Sequence, residues 1–96
     1  MDILMWLQDW YKQQCDGFWE HLYGIEIGNI DNPGWEIKID LKDTPYEDEE
    51  FLEINIQNND QWMICEKQKS VFKGYGSYDK LFEILTVFKN WIESQS

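Results

Sequence analysis

The chain has 96 residues, a formal net charge of −11 and 16 aromatic residues, six of them Trp. Every Lys/Arg-type cation is Lys, which argues against nucleic-acid binding, because that needs a basic footprint and favours Arg forks on phosphate and guanine. The same charge argues against an anionic membrane surface, and the length allows one domain over residues 1–96 rather than two cores.

The aromatics supply a core, since each buries roughly 150–250 Å². Some of them could also anchor an interface. The charge is uneven. Residues 1–60 hold 15 acids and 3 Lys, net −12, and residues 61–96 hold 4 acids and 5 Lys, net +1. A one-sided acidic field suits a basic partner and speeds encounter; it also keeps a Trp-rich chain soluble. Cys15 and Cys65 form neither a metal-type spacing nor a C-x-x-C pair, so reduced thiols are expected. No basic segment followed by an apolar run opens the chain, and no apolar stretch approaches a membrane span of about 20 residues. A cytoplasmic protein is expected.

In chain order, residues 2–15 read as a helix capped by Asp2. Ile3, Leu7, Trp10 and Tyr11 form its apolar stripe, with Trp6 beside them. Gly17 is placed to end it. Tyr23, Ile25 and Ile27 alternate with Gly24, Glu26 and Gly28 as a first strand. Asp31-Asn32-Pro33-Gly34 is a turn signal, Pro33 fixing φ and Gly34 tolerating a positive value. Trp35–Leu41 is the clearest strand: Trp35, Ile37, Ile39 and Leu41 face one way, Glu36, Lys38 and Asp40 the other.

Residues 42–50 (KDTPYEDEE) read as an acidic loop. A third strand over 51–58 turns Leu52, Ile54 and Ile56 inward and Glu53, Asn55 and Gln57 outward. Asn58-Asn59-Asp60 turns the chain into two further strands, Trp62–Glu66 and Val71–Tyr75, around Lys67–Ser70. Gly74-Tyr75-Gly76 is expected to end the sheet. Ser77 then caps a last helix over 78–93, whose apolar face is Leu81, Ile84, Leu85, Phe88, Trp91 and Ile92. The order predicts an α+β fold: a five-stranded, mainly antiparallel sheet with the N- and C-terminal helices on one face (α-β-β-β-β-β-α) and the other face wet.

Few residues could carry chemistry. Cys15 and His21, six apart, are the one pair that could act as nucleophile and base, and no oxyanion site accompanies them. Cys15, Asp16, Glu20 and His21 match no zinc spacing, so no metal and no cofactor are expected. The acidic loop lacks the spacing and glycine of a calcium loop. Two readings of its carboxylates stand side by side, a solvated charge run and a contact surface for a Lys- or Arg-rich partner. The polar sheet face beside it shares both readings.

The run Trp6-Leu7-Gln8-Asp9-Trp10-Tyr11, then Cys15-Asp16-Gly17, Trp19-Glu20-His21, Tyr23-Gly24-Ile25 and Asp31-Asn32-Pro33-Gly34-Trp35, resembles the immunity protein 53 family. The resemblance spans nearly the whole chain and implies a role in bacterial polymorphic toxin systems, in which the protein is made beside a secreted toxin and protects its producer by binding the toxin domain. It implies no enzyme. A sulfurtransferase-like label attached to some members would rest here on Cys15 alone or with His21, without a rhodanese active-site loop. The family-motif residues Trp6, Trp10, Asp16, Gly17, Trp19, Glu20, His21, Pro33, Gly34 and Trp35 read as scaffold, Trp19 and Trp35 packing the hairpin on the first helix. The partner surface is then expected at Glu36, Asp40, Asp43, Glu47, Asp48, Glu49, Glu50 and Glu53, facing a basic toxin domain such as a nuclease. The protein itself is expected as a monomer or weak homodimer.

Overall fold

The computed structural model describes residues 2–95. Helix α1 spans Ile3–Gln14, α2 Trp19–Leu22 and α3 Leu81–Glu93; the strands are β1 Ile25–Ile30, β2 Gly34–Asp40, β3 Ile54–Asn58, β4 Gln61–Gln68 and β5 Val71–Ser77. The strands form one antiparallel sheet in the order β1-β2-β5-β4-β3. Two tight hairpins, β1–β2 and β4–β5, therefore meet at β2 and β5. β3 pairs only with β4, and the chain must cross from β2 to the far edge over residues 41–53.

One sheet face is dry. Ile37, Ile39, Met63, Cys65 and Phe72 lie on it, together with Leu41 just past β2, and all are buried. Ile84, Leu85, Phe88 and Ile92 of α3 pack onto this face, and Leu7 and Trp10 of α1 join from alongside α3. Phe88 is the hub: its ring lies 5.0 Å from Phe72, 5.1 Å from Trp10 and 6.0 Å from Trp6. The contacts with Trp10 and Trp6 are edge-to-face, a geometry that adds to the burial term. The predicted fold class is the one observed.

The local differences from the sequence reading have physical causes. α1 starts at its expected cap, with the Asp2 carboxylate accepting from the Met5 amide at 2.8 Å. Its C-cap is Cys15, not Gly17; Gly17, at φ 97°, instead bends the chain into α2, a single turn that is too short to show a periodicity. Gly34 is the first residue of β2 rather than a positive-φ turn residue, and a side chain there would run into the Gly76 carbonyl. Gly74 and Gly76 do not end the sheet. They sit inside β5 where α3 descends on it, and a methyl group at Gly74 would collide with Ile84. Two glycines thus let a helix approach a strand closely.

α3 begins at Leu81 with Lys80 as its cap residue. Ser77 is kept inside β5, where its hydroxyl donates to Asp79 at 3.1 Å and meets the Trp62 amide at 3.3 Å. β3 starts at Ile54, so Leu52 and Ile56, expected inside, are instead 85 % and 44 % exposed. The helices lie over the middle of the sheet, and the edge strand extends beyond their cover.

Candidate functional site

Two groups of carboxylates in the first half of the chain have contrasting settings. The first belongs to the corner between α1 and β1. Asp16 Oδ1 accepts from the amides of Phe18 and Trp19, both at 3.0 Å. Glu20 reaches back to the amides of Asp16 at 3.0 Å and Gly17 at 2.9 Å. This reciprocal pair works as a capping box does, satisfying backbone donors at the start of a helical turn. Hydrogen bonds from Trp19 and Phe18 hold the Asp16 carboxyl below its usual range, and backbone amide bonds do the same for Glu20.

Around that turn, Trp19 is buried edge-on against Trp10, with its Nε1 donating to the Lys42 carbonyl at 2.9 Å. Trp35, partly buried against the core, is tied to the α3 end of the fold. Its Nε1 donates to the Tyr78 carbonyl at 2.9 Å, before α3. Pro33 lies in the exposed β1–β2 turn. His21 is exposed, 4.0 Å from the Glu20 carboxylate. The Cys15 thiol donates to the Tyr11 carbonyl at 3.3 Å, and no hydrogen bond joins it to His21 among the described residues. Cys65 is buried in the core, where loss of water pushes its thiol up to about 12. Among the described residues no group of three or more His, Cys, Asp and Glu could hold a metal ion.

The second set lies on the crossover of residues 41–53, which forms a strap across the end of the sheet beside the β4–β5 turn. Its backbone coils through tight turns, with Thr44 Oγ1 donating to the Leu41 carbonyl at 2.7 Å and the Glu47 amide donating to the Thr44 carbonyl at 3.3 Å. Tyr46 tucks inward between Trp10 and Trp91, each 6.3 Å away. Phe51 stands edge-on to Phe72 at 5.4 Å and to Trp91 at 5.5 Å. Lys67 reaches from β4 and donates to the carbonyls of Glu47 and Glu49, both at 2.6 Å, while Trp91 Nε1 donates to the Glu50 carbonyl at 2.8 Å.

The predicted partner residues divide accordingly. Three are engaged internally. Glu47 accepts from the Asp43 amide at 3.0 Å and Ser70 Oγ at 3.2 Å and pairs with Lys42 at 3.3 Å; those bonds, the Asp43 amide foremost, lower its pKa. Asp40 accepts from the Gly24 amide at 2.9 Å, and Glu36 pairs with Lys38 at 3.1 Å, which raises the Lys38 pKa. Asp43, Asp48, Glu49, Glu50 and Glu53 are exposed, and their carboxylates have no hydrogen bond or ion pair among the described residues. The strap thus directs its aromatics inward and most of its charge outward.

The open sheet face is not uniformly acidic. The register sets Lys38 opposite Lys73, with Glu26 and Glu66 flanking them and Glu36 opposite Tyr75. The residues that pin the strap, Lys67 and Trp91, escaped the sequence reading because they lie far along the chain. Tyr46 and Phe51, two aromatics within and next to an acidic run, were the signal that this loop packs.

No helix of the described chain is long and apolar enough to cross a membrane. Comparison with curated proteins and with solved structures returned no match. The family model of Immunity protein 53 matches residues 4–93, nearly the whole chain, and the chain belongs to that family.

Proposed function

We propose that this protein binds and neutralises a cognate bacterial toxin domain in the cytosol of the cell that makes it, presenting the acidic strap to a basic surface of the toxin, such as that of a nuclease, and covering its active site or substrate groove. The observation that carries the reading is the fixed strap. Asp43, Asp48, Glu49, Glu50 and Glu53 project from a backbone that Lys67, Trp91, Tyr46 and Phe51 hold in place. Charge on a preordered backbone binds with less ordering entropy than charge on a free loop, and it speeds encounter with an opposite surface. Glu36, Asp40 and Glu47, which already have partners within the chain, contribute field rather than contacts.

The test is the association rate with the toxin domain, together with rescue of cells expressing that toxin. Reversing Asp48, Glu49, Glu50 and Glu53 together to Lys lowers the rate by about tenfold or more and weakens rescue. Raising the salt from about 0.05 to about 0.5 M slows the native pair and leaves the reversed variant little changed. An association rate indifferent to both salt and reversal refutes the acidic-strap reading.

The thiol-enzyme alternative receives no support from the geometry: Cys15 is bonded to its own helix and His21 faces solvent beside Glu20. It predicts loss of protection in Cys15→Ser, whereas binding through the strap predicts none.

A further inference from the structure

β3 is an outer strand whose register with β4 runs unbroken from Ile54–Cys65 to Asn58–Gln61. Its five residues, Ile-Asn-Ile-Gln-Asn, include no Lys, no Pro and no charge, and there is no bulge. Those are the devices by which exposed edges are ordinarily blunted. Asn58 and Gln61 close the two-residue turn, so the alternation of an antiparallel ladder leaves the amides and carbonyls of Asn55 and Gln57 directed away from β4. Beside this edge, on the helix side, lies a recess of about 460 Å³ whose walls include Leu52, Ile54, Val87 and Trp91. On the open-face side stand Asn55, Gln57 and, just before the strand, Glu53. The other outer strand, β1, carries Glu26 near its start and stands at the opposite edge of the sheet from β3.

We infer that β3 is a docking edge for an extended segment of a cationic protein partner, which adds as a sixth strand with its apolar side chains in the recess and its Lys or Arg side chains over Glu53 and the strap. In strand addition, main-chain hydrogen bonds supply affinity and pockets for alternate side chains supply selectivity. Charge selects this occupant over a second copy of the chain. Two β3 strands paired antiparallel about Ile56 would bring Glu53 of each copy alongside Asn59 and Asp60 of the other, between chains that each carry −11. A cationic strand meets the same groups with attraction. The inference deepens the toxin-binding reading by naming the conformation and chemistry of the segment bound.

The test uses a blocked eight-residue peptide of alternating Lys and Val, with an alternating Glu-Val peptide as control, on isotope-labelled full-length protein. The Lys-Val peptide shifts β3 resonances and slows hydrogen exchange at the Asn55 and Gln57 amides, and the Glu-Val peptide does neither. Gln57→Pro removes an outward amide while leaving the β3–β4 ladder intact, and weakens the peptide about tenfold. Leu52→Ser, at an exposed site outside the strand, removes an apolar wall of the recess without changing the charge and weakens the peptide independently of any effect of Pro on folding.

Absence of binding, shifts confined to β1 or the open face, or native affinity in Leu52→Ser would overturn the inference, as would a β3–β3 dimer in sedimentation of the protein alone. Each of these leaves toxin rescue by the strap untouched. Conversely, intact peptide docking with no rescue would sink the toxin reading alone.

Discussion

The corner at residues 15–23 and the strap at residues 41–53 are both rich in carboxylates, yet they use them in opposite ways. At the corner the amides around a one-turn helix lack backbone partners, and Asp16, reaching forward, and Glu20, reaching back, accept from them. In the strap, cations and indoles from elsewhere in the fold satisfy the backbone carbonyls. There only Glu47 turns inward, and the carboxylates of Asp43, Asp48, Glu49, Glu50 and Glu53 point to solvent. An acidic residue becomes scaffold where backbone donors are orphaned beside it, and surface where the backbone is satisfied without it.

Four measurements sharpen or break that contrast. The largest effect is expected from Trp19→Ala, because Trp19 fills the corner and its indole holds Lys42 at the root of the strap. A loss of about 3–5 kcal/mol in denaturant unfolding is expected, and a loss below about 1 kcal/mol would mean the two regions are not coupled through it. Next comes Lys67→Met, which leaves two strap carbonyls without their charged donor. It should cost about 1.5–3 kcal/mol and speed hydrogen exchange across residues 43–50. Unchanged exchange would show the strap is held by its aromatics alone.

The third is a pH effect. Asp16, Glu20 and Glu47 have folded-state pKa values below their ordinary ones of 3.8, 4.5 and 4.5. A depressed folded pKa means that the unfolded chain takes up the proton first. The stabilisation is therefore complete above those ordinary values and is lost as the pH falls through the lowered ones. Denaturant midpoints should decline below about pH 4.5, and Asp16→Asn with Glu20→Gln should flatten that decline. The same change made at Glu49 and Glu50 should not, and if it does, the strap carboxylates are less free than their geometry indicates. The smallest effect is expected from Glu50→Gln alone, within about 0.5 kcal/mol of native stability, with its consequence appearing in toxin association instead.

Much of the fold was legible in the chain. Strict alternation in Trp35–Leu41 and the stripe Ile84, Leu85, Phe88 and Ile92 reported β2 and α3, because a period of 2 or of 3.6 is written into neighbouring residues. Legibility failed where burial depends on what lies opposite. Leu52 and Ile56 read as inward by alternation, but α3 lies over β5 and β4 and gives them no cover. Gly74 and Gly76 read as a sheet end, yet their meaning is the close approach of α3, ten residues further on.

The candidate site divides in the same way. Its location in the acidic run could be read directly, whereas the fixed backbone and the sorting of carboxylates could not. Lys67 and Trp91 meet the strap across 18 and 41 residues of chain.

By itself the sequence determined composition-level and short-range properties: an acidic, Arg-free chain, an Asp2-capped helix, the hairpin strands and the apolar faces that must come together. The tertiary structure alone decided the strand order β1-β2-β5-β4-β3, which sends residues 41–53 over the end of the sheet and leaves β3 as an open edge. Local periodicity specifies which face of an element seeks cover, but the neighbour that covers it is set by packing among elements distant in the chain. The same carboxylate can therefore end as a cap or as a binding surface.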